Sequence, residues 1–397
     1  MNRKMIGILM VLAALVIFTA PAHATSMGDV DIHGFISQGF IASNEYNYLS
    51  HKSTDGSFEF NEVGVNFSKK IADRLRVGIQ LFSRDLGDTN NNKVTLDWAY
   101  GDYRQYNWLG IRAGRMKTPL GLYNEIRDID TLRTNIIMPQ GIYPDLIRET
   151  TIALNGFGLY GNIDLRSVGS LDYLMITGGQ STDNEGGLEK FYNSFLKAQG
   201  QPTTILNGTV DARTSYCGGL RWDTPLDGLR IGYSFMDSAG SIPIKETISN
   251  FETELDSKFL LQVFSVEYTW NNLILAGEYY SRKNDTTSVA GDSTTTEISY
   301  YVSGSYRFND LFTLGAYYSI YYHDEDDKDG DNLIVGHMGR EKDLAATLRF
   351  DLNPFWVFKV EGHYVDGTAW VASGDNPNSD WSEDTWYYGV AKMTFSF

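Results

Sequence analysis

The chain predicts an all-β fold: a 16-stranded antiparallel transmembrane β-barrel with a long third loop folded into its lumen. Three observations carry this: apolar and polar residues alternate with period two along the chain, the front reads as a secretion signal, and the end stops on an aromatic. The ending shows the pattern most clearly. From Asp384 to Phe397 one face carries Tyr387, Gly389, Ala391, Met393, Phe395 and Phe397, while the other carries Trp386, Tyr388, Lys392, Thr394 and Ser396. A strand with one greasy and one wet side suits a wall that has lipid outside and water within.

Residues 1–24 read as a cleaved signal peptide, with Arg3 and Lys4 at the start, an apolar run from Ile6 to Phe18, and Ala22-His23-Ala24 as an A-x-A cleavage site. That run is shorter than the roughly 20 residues a membrane helix needs, and no later segment is long enough either. Residues 25–397 are expected to form one barrel domain, because no Pro-rich or Ser/Gly-rich tract divides them. The chain has 50 acidic against 33 basic residues, which argues against nucleic acid as a partner, since that surface must be basic. Cys217 is the only cysteine, so no intramolecular disulfide can form.

Alternation places strands near 30–43, 58–70, 74–85, 93–104, 107–118, 149–163, 166–179 and 210–224, then 228–239, 257–270, 272–283, 295–309, 311–323, 341–352, 355–367 and 385–397. An even count returns both chain ends to the periplasmic side. Connection lengths support the count independently. Tight turns such as Lys70-Ile71-Ala72-Asp73, Asn271-Asn272 and Leu352-Asn353-Pro354 take turns with long, polar loops, the known asymmetry of outer-membrane barrels.

The faces can be assigned by cost. In Arg74 to Arg84, Leu75, Val77, Ile79 and Leu81 oppose Arg76, Gly78, Gln80 and Phe82. A guanidinium in lipid near the midplane costs about 2–4 kcal/mol, so the arginine face must be the lumen. Arg76, Arg112, Arg213, Arg221, Arg230, Arg282, Arg307, Arg349, Lys359 and Lys392 fall on that face. Trp108, Trp222, Trp270 and Trp356 each adjoin a tight turn, which predicts a girdle at the periplasmic headgroup level. In the first strand Gly34, Ser37, Gln38 and Gly39 interrupt an apolar stripe, which predicts contact with a second protein wall.

Thr118 to Arg148 is the third long loop. With Leu120, Leu122, Tyr123, Ile126, Leu132, Ile136, Ile137, Met138 and Ile142 it is too apolar for a solvated surface loop, so it should fold inward and pack. Folded inward it brings Glu125, Arg127, Asp128, Asp130, Arg133, Asp145 and Arg148 to the wall. Charged rings at a narrow place set ion preference. Excess wall arginine would attract anions; internal pairing of Arg with Asp and Glu would instead shape the opening without strong selectivity.

Gly114-Arg115-Met116-Lys117-Thr118-Pro119-Leu120-Gly121 leads into this loop, and Phe397 ends the chain. With the leader and strand pattern, these resemble the trimeric outer-membrane porins of Gram-negative bacteria, the Gly-Arg-x-Lys-x-Pro-x-Gly run being similar to the phosphate-selective and dicarboxylate-type branch. The resemblance implies a homotrimer with one pore per subunit, a folded-in third loop, and recognition of Phe397 by the barrel-insertion machinery. No long lysine ladder occurs in any one loop, so strong phosphate selectivity is not expected.

Other motifs carry less. Gly156-Phe157-Gly158-Leu159-Tyr160-Gly161 matches G-x-G-x-x-G but lies inside an alternating strand, where a nucleotide site would need a helix to follow. Asp327, Asp329 and Asp331 offer a weak calcium site that could bridge to lipopolysaccharide, yet Gly336 stands where an EF-hand places its bidentate Glu. Ser194-Phe195-Leu196-Lys197 satisfies S-x-x-K without the elements that accompany it in hydrolases. No nucleophile and base pair emerges, and no cofactor is implied. The expected function is passive diffusion of small hydrophilic solutes across the outer membrane, with a modest anion preference for phosphate or carboxylates. The alternative is a barrel whose outer loops act as an adhesin or receptor.

Overall fold

The computed structural model describes residues 30–87, 89–183, 187–200, 203–205, 209–246, 252–288 and 291–397. The expected signal peptide, 1–24, lies outside them. The strands are β1 (Asp31–Ser43), β2 (Phe60–Ala72), β3 (Leu75–Leu86), β4 (Thr95–Tyr106), β5 (Leu109–Lys117), β6 (Ala153–Asp164), β7 (Ser170–Asp183), β8 (Thr203–Ile205) and β9 (Thr209–Asp223). They continue as β10 (Leu229–Glu246), β11 (Glu252–Trp270), β12 (Leu273–Ser288), β13 (Gly291–Arg307), β14 (Phe312–Tyr322), β15 (Arg340–Asn353), β16 (Trp356–Gly367) and β17 (Thr385–Ser396). Each pairs antiparallel with its neighbour in sequence, except that β7 pairs directly with β9 and the three-residue β8 adds to the end of β10.

The ring closes where β17 pairs with β1, from Phe35 opposite Ser396 to Ser43 opposite Tyr388. Phe397 locks this seam, its N–H donating to the Gly34 carbonyl at 2.9 Å and its carbonyl accepting from the Gly34 N–H at 3.0 Å. Sixteen strands therefore form a closed antiparallel wall with no free edge, the form in which a sheet can stand in lipid.

Each of the sixteen expected strands is present. Two expected outer loops are shorter than the sequence suggests, because β10 and β11 stay paired out to Lys245 opposite Glu252, and β12 and β13 to Ser288 opposite Gly291. The β12–β13 extension is Ser-, Thr- and Asp-rich on both faces, so no apolar alternation marks it, while in the β10–β11 extension Ile242 and Ile244 alternate with polar residues and Pro243 and are buried against Tyr192 and Leu196. Backbone pairing carries both extensions, aided by cross-strand bonds such as Thr294 Oγ1 to Asp285 at 2.8 Å. At the opposite end the turns are tight; Asn271 takes a positive φ of 51° between β11 and β12, a conformation Asn tolerates.

The wall is inside-out. Val77, Leu81, Ile111, Leu159, Val302, Leu348, Tyr364 and Phe395 are exposed on the outside, while Arg84, Glu278, Glu361, Lys359 and Lys392 are buried within. In β1 the structure corrects one expectation. Ser37 and Gly39 face the interior and are covered there, so the outward side of β1 is Ile32, Gly34, Ile36 and Gln38. The Gln38 amide is occupied by the carbonyls of Phe58 and Phe60 at 2.9 and 3.1 Å. No helix among the described residues is long and apolar enough to cross a membrane.

The glycine-rich run 156–161 is part of β6, not a nucleotide loop. A Cβ at Gly156 would stand 2.0 Å from the Thr177 carbonyl of β7, so the glycine serves close strand approach. Ser194 lies on helix α1 (Gly187–Ala198), where its hydroxyl donates to the Lys190 carbonyl at 2.6 Å.

Candidate functional site

The segment 118–152 joins β5 to β6 and contains two short 3-10 turns, Asp130–Leu132 and Arg148–Thr150. Its apolar residues are buried in two groups. Leu120, Met138, Ile142 and Tyr143 pack on Leu154, Leu174, Met236, Leu261 and Val263 of the wall. Ile136, Ile137, Leu146 and Ile147 join Tyr48, Leu188, Phe191, Trp370 and Val371 from other long loops. Each such aliphatic side chain contributes on the order of 1.5–3 kcal/mol when fully buried, which drives the loop inward.

Polar contacts then fix its path. Glu278 of β12 accepts the N–H of Leu122 at 2.8 Å and the hydroxyls of Tyr143 and Tyr301 at 2.5 and 2.9 Å. Gly121 takes a φ of 60°, and a Cβ there would fall 2.4 Å from the Tyr143 hydroxyl and 2.7 Å from Glu278, so glycine lets the backbone reach this carboxylate. Glu361 of β16 accepts the N–H groups of Ile136 and Ile137 at 2.8 and 2.7 Å. Lys359 donates to the carbonyls of Asp130 and Arg133 at 2.7 and 2.8 Å, and Arg84 of β3 pairs with Asp145 at 3.1 Å. These partners face inward on distant arcs of a closed wall, so the segment runs across the interior.

The charges form linked pairs. Lys117 bridges Asp97, at 2.9 Å, and Asp128; Arg148 bridges Asp97, Asp128 and Glu149 at 3.2, 2.5 and 2.7 Å. Asp145 is shared by Arg84 and Arg127, both at 3.1 Å. Asp130 receives Lys359, Arg133 and Lys392 at 3.1, 3.5 and 3.6 Å and the Thr394 hydroxyl at 2.8 Å; Lys392 also pairs with Glu62 at 2.5 Å.

Burial alone would raise the loop carboxyls, but their cations prevail. Arg148 and Lys117 hold Asp128 well below the usual carboxylate range, and Lys359 and Lys392 do the same for Asp130. Asp145 is lowered by Arg127 and Arg84, and Glu149 by Arg148. Burial pulls the Arg127 guanidinium down to about 10 even with Asp145 beside it.

Of the residues expected at a constriction, Arg127, Asp128, Asp130, Arg133, Asp145 and Arg148 gather in this cluster. Glu125 and Arg221 pair at 2.5 Å, near Arg112, which binds Asp102 at 3.3 Å and lies over the Tyr160 ring at 4.1 Å. Glu125, Arg221, Arg112 and Tyr160 line a cavity of about 270 Å³ with Arg104 and Asp172. A second cavity, of about 750 Å³, is lined by Arg133, Arg307 and Arg349 with Asp310 and Asp351. Arg307 sits beside the turn to β14, donating to the Asp310 carbonyl at 3.3 Å, and Arg76 is bonded to Ser68 at 2.8 Å near the β2–β3 turn. Arg213 lies in β9, and its side chain falls outside the described residues.

Glu62, Arg84, Asp97, Lys117, Glu278 and Glu361 were not distinguished by sequence. Arg84 lies in register with Arg76, Gln80 and Phe82 on the inner face of β3, and continuing that alternation would have found it. At the turn end Trp108 and Trp270 are exposed, Trp222 donates to the Val168 carbonyl at 2.8 Å, and Trp356 opens β16. The acidic loop does not gather a metal site. Asp327 accepts the N–H groups of Asp331 and Asn332 at 2.8 and 3.0 Å, and among the described residues no three His, Cys, Asp or Glu side chains converge on a point.

The model of Gram-negative porins matches residues 11–369. Among solved structures, the in-vitro folded OmpT of Vibrio cholerae in its trimer form superposes with a TM-score of 0.54 at 12% identity, over 93% of this chain and 99% of that one. The anion-selective porin of Comamonas acidovorans gives 0.54 at 11% identity over 93% and 99%, and OmpF of Salmonella typhi, in complex with daunomycin, 0.57 at 12% over 93% and 98%. An uncharacterized protein of Aquifex aeolicus (strain VF5) is 25% identical over 130 residues, 31% of this chain; the match spans only 29% of that protein.

Proposed function

The chain belongs to the Gram-negative porin family, and on that premise we propose that it is a homotrimeric outer-membrane channel for passive diffusion of small hydrophilic solutes, with a modest preference for anions such as phosphate or carboxylates. The observation that carries this reading is the third loop, drawn across the interior and tied to Glu278, Glu361, Lys359 and Arg84, with two arginine-lined cavities against it. Six guanidinium groups, from Arg104, Arg112, Arg221, Arg133, Arg307 and Arg349, line the two cavities against the carboxylates of Glu125, Asp172, Asp310 and Asp351. Fields in water are screened within about 8 Å at physiological salt, so it is groups lining the path of the solute that set the preference.

Outward-facing rings support the membrane and subunit assignments. Tyr279, Tyr300, Tyr306, Tyr318, Tyr364 and Tyr387 are exposed on β12 to β17, where headgroups favour such rings. On β1 to β3 the exposed large side chains are aliphatic, Ile32, Ile36, Ile71, Val77 and Leu81, which suits a wall covered by a second subunit. Trp108, Trp222, Trp270 and Trp356 form the periplasmic girdle, and Phe397 is the group read by the insertion machinery.

Liposome swelling tests the reading. Vesicles holding the folded protein should swell in small sugars and swell faster in dicarboxylates of similar size. Impermeable vesicles with correctly folded trimers would favour an adhesin or receptor role for the outer loops.

A further inference from the structure

Where the third loop meets β2, β3 and β17 lies a small cavity of about 20 Å³. Five cations line it: Arg84, Arg127, Arg133, Arg148 and Lys392. Three carboxylates, Glu62, Asp128 and Asp145, share the lining. Arg84, Arg127, Arg148 and Lys392 are at most 4% exposed, so water outside the cavity does little to solvate them.

Two features are left over. The Nε–H groups of Arg84 and Arg133 are buried and meet no acceptor. Buried donors of this kind are rare in folded proteins and call for an unseen partner. The charge count points the same way. The lining is joined by ion pairs to Lys117, Lys359, Asp97, Asp130 and Glu149 among the described residues. Cations thus outnumber carboxylates in the lining, five to three, in a place largely removed from solvent.

We propose that this cavity is a built site for a single monatomic anion, chloride in ordinary salt, which offsets the excess of cations in the lining and accepts the unmatched guanidinium N–H groups. Size selects the class. A cavity of about 20 Å³ has room for about one water-sized sphere, which favours a monatomic ion over phosphate, sulfate or carboxylates. The ion would be a resident part of the loop's attachment, distinct from solutes in transit, and the proposal does not depend on what the channel conducts. Its physical effect is to pin the two arms of the loop, one carrying Arg127 and Arg133 and the other Arg148, to Arg84 and Lys392 of the wall.

Bromide reports the site directly. Crystals of the full protein grown in bromide should show an anomalous peak in this cavity, within hydrogen-bonding reach of the Arg84 and Arg133 side chains, and the peak should vanish in Arg133→Gln. A water there without anomalous signal, or bromide found only at exposed arginines such as Arg307, overturns the proposal. In detergent the wild-type protein should melt higher in chloride than in gluconate at equal ionic strength, gluconate being too large to enter. This arm needs no variant, and identical melting in the two salts would contradict the pinning role.

Discussion

Arg84 of β3 holds Asp145 of the third loop twice, by its carboxylate at 3.1 Å and by its backbone carbonyl at 2.8 Å. The pair is the tether at the loop's returning arm. Removing one partner of a buried ion pair costs about 3–5 kcal/mol, because the remaining charge is left uncompensated. Arg84→Ala should therefore lower the melting temperature in detergent markedly and raise open-channel noise. A variant that melts like wild type would show that the loop is held elsewhere.

Glu361 takes two consecutive loop N–H groups, from Ile136 and Ile137, on a single carboxylate. In Glu361→Ala both donors lose their acceptor inside the barrel, at about 1–3 kcal/mol each. The expected outcome is faster hydrogen exchange at Ile136 and Ile137, with strand amides unchanged. Equal exchange in the two proteins would remove Glu361 as an anchor.

At the long-loop end Trp370 stacks on Phe191 of α1 at 4.8 Å and is 2% exposed, and Lys190 pairs with Asp375 at 2.6 Å. These contacts lay an apolar layer over the third loop. Trp370→Ala should cost about 3–5 kcal/mol locally and increase conductance from that side. Unchanged conductance would mean that the layer does not limit flow.

The loop carboxyls give the pH dependence a definite sign. Asp128, Asp130 and Asp145 are held below their unfolded values, so the stability they supply is present above the unfolded pKa, about 3.9 for Asp, and is lost as pH falls through the folded one. Conductance and loop protection should be flat from neutral pH to about 5 and change only in stronger acid. A transition centred near pH 6 would contradict this set of groups.

Arg112 lies at a cavity wall, half covered by Tyr160 and paired with Asp102. Arg112→Ala removes the cation from Asp102, which keeps the Tyr160 hydroxyl, and should move the zero-current potential in a salt gradient toward cations. No movement would exclude Arg112 from the selective region.

The wall was legible in sequence because each strand buries one face and shows lipid the other, as Val77 and Leu81 against Gln80 and Arg84 illustrate. The β12–β13 extension was not, since a strand with water on both sides needs no alternation; that of β10–β11 carries a short one, Ile242 and Ile244 around Pro243, which is buried against Tyr192 and Leu196 of the loop helix. Loop 118–152 announced itself by its apolar content. Its anchors could not, because Glu278 meets Leu122 across 156 positions and Glu361 meets Ile136 across 225, and only closure of the ring brings them together. The same closure sets the wall cations Arg84, Lys359 and Lys392 against Asp145, Asp130 and Glu62, carboxylates far from them in sequence.

Single-channel recording of the wild type beside an Arg84→Ala, Glu361→Ala double variant tests the central claim most directly. If the tethered third loop sets the opening, the wild type gives steady steps of one size and the untethered protein gives larger, flickering ones at unchanged ion composition. Steps of identical size and steadiness in both proteins would contradict it.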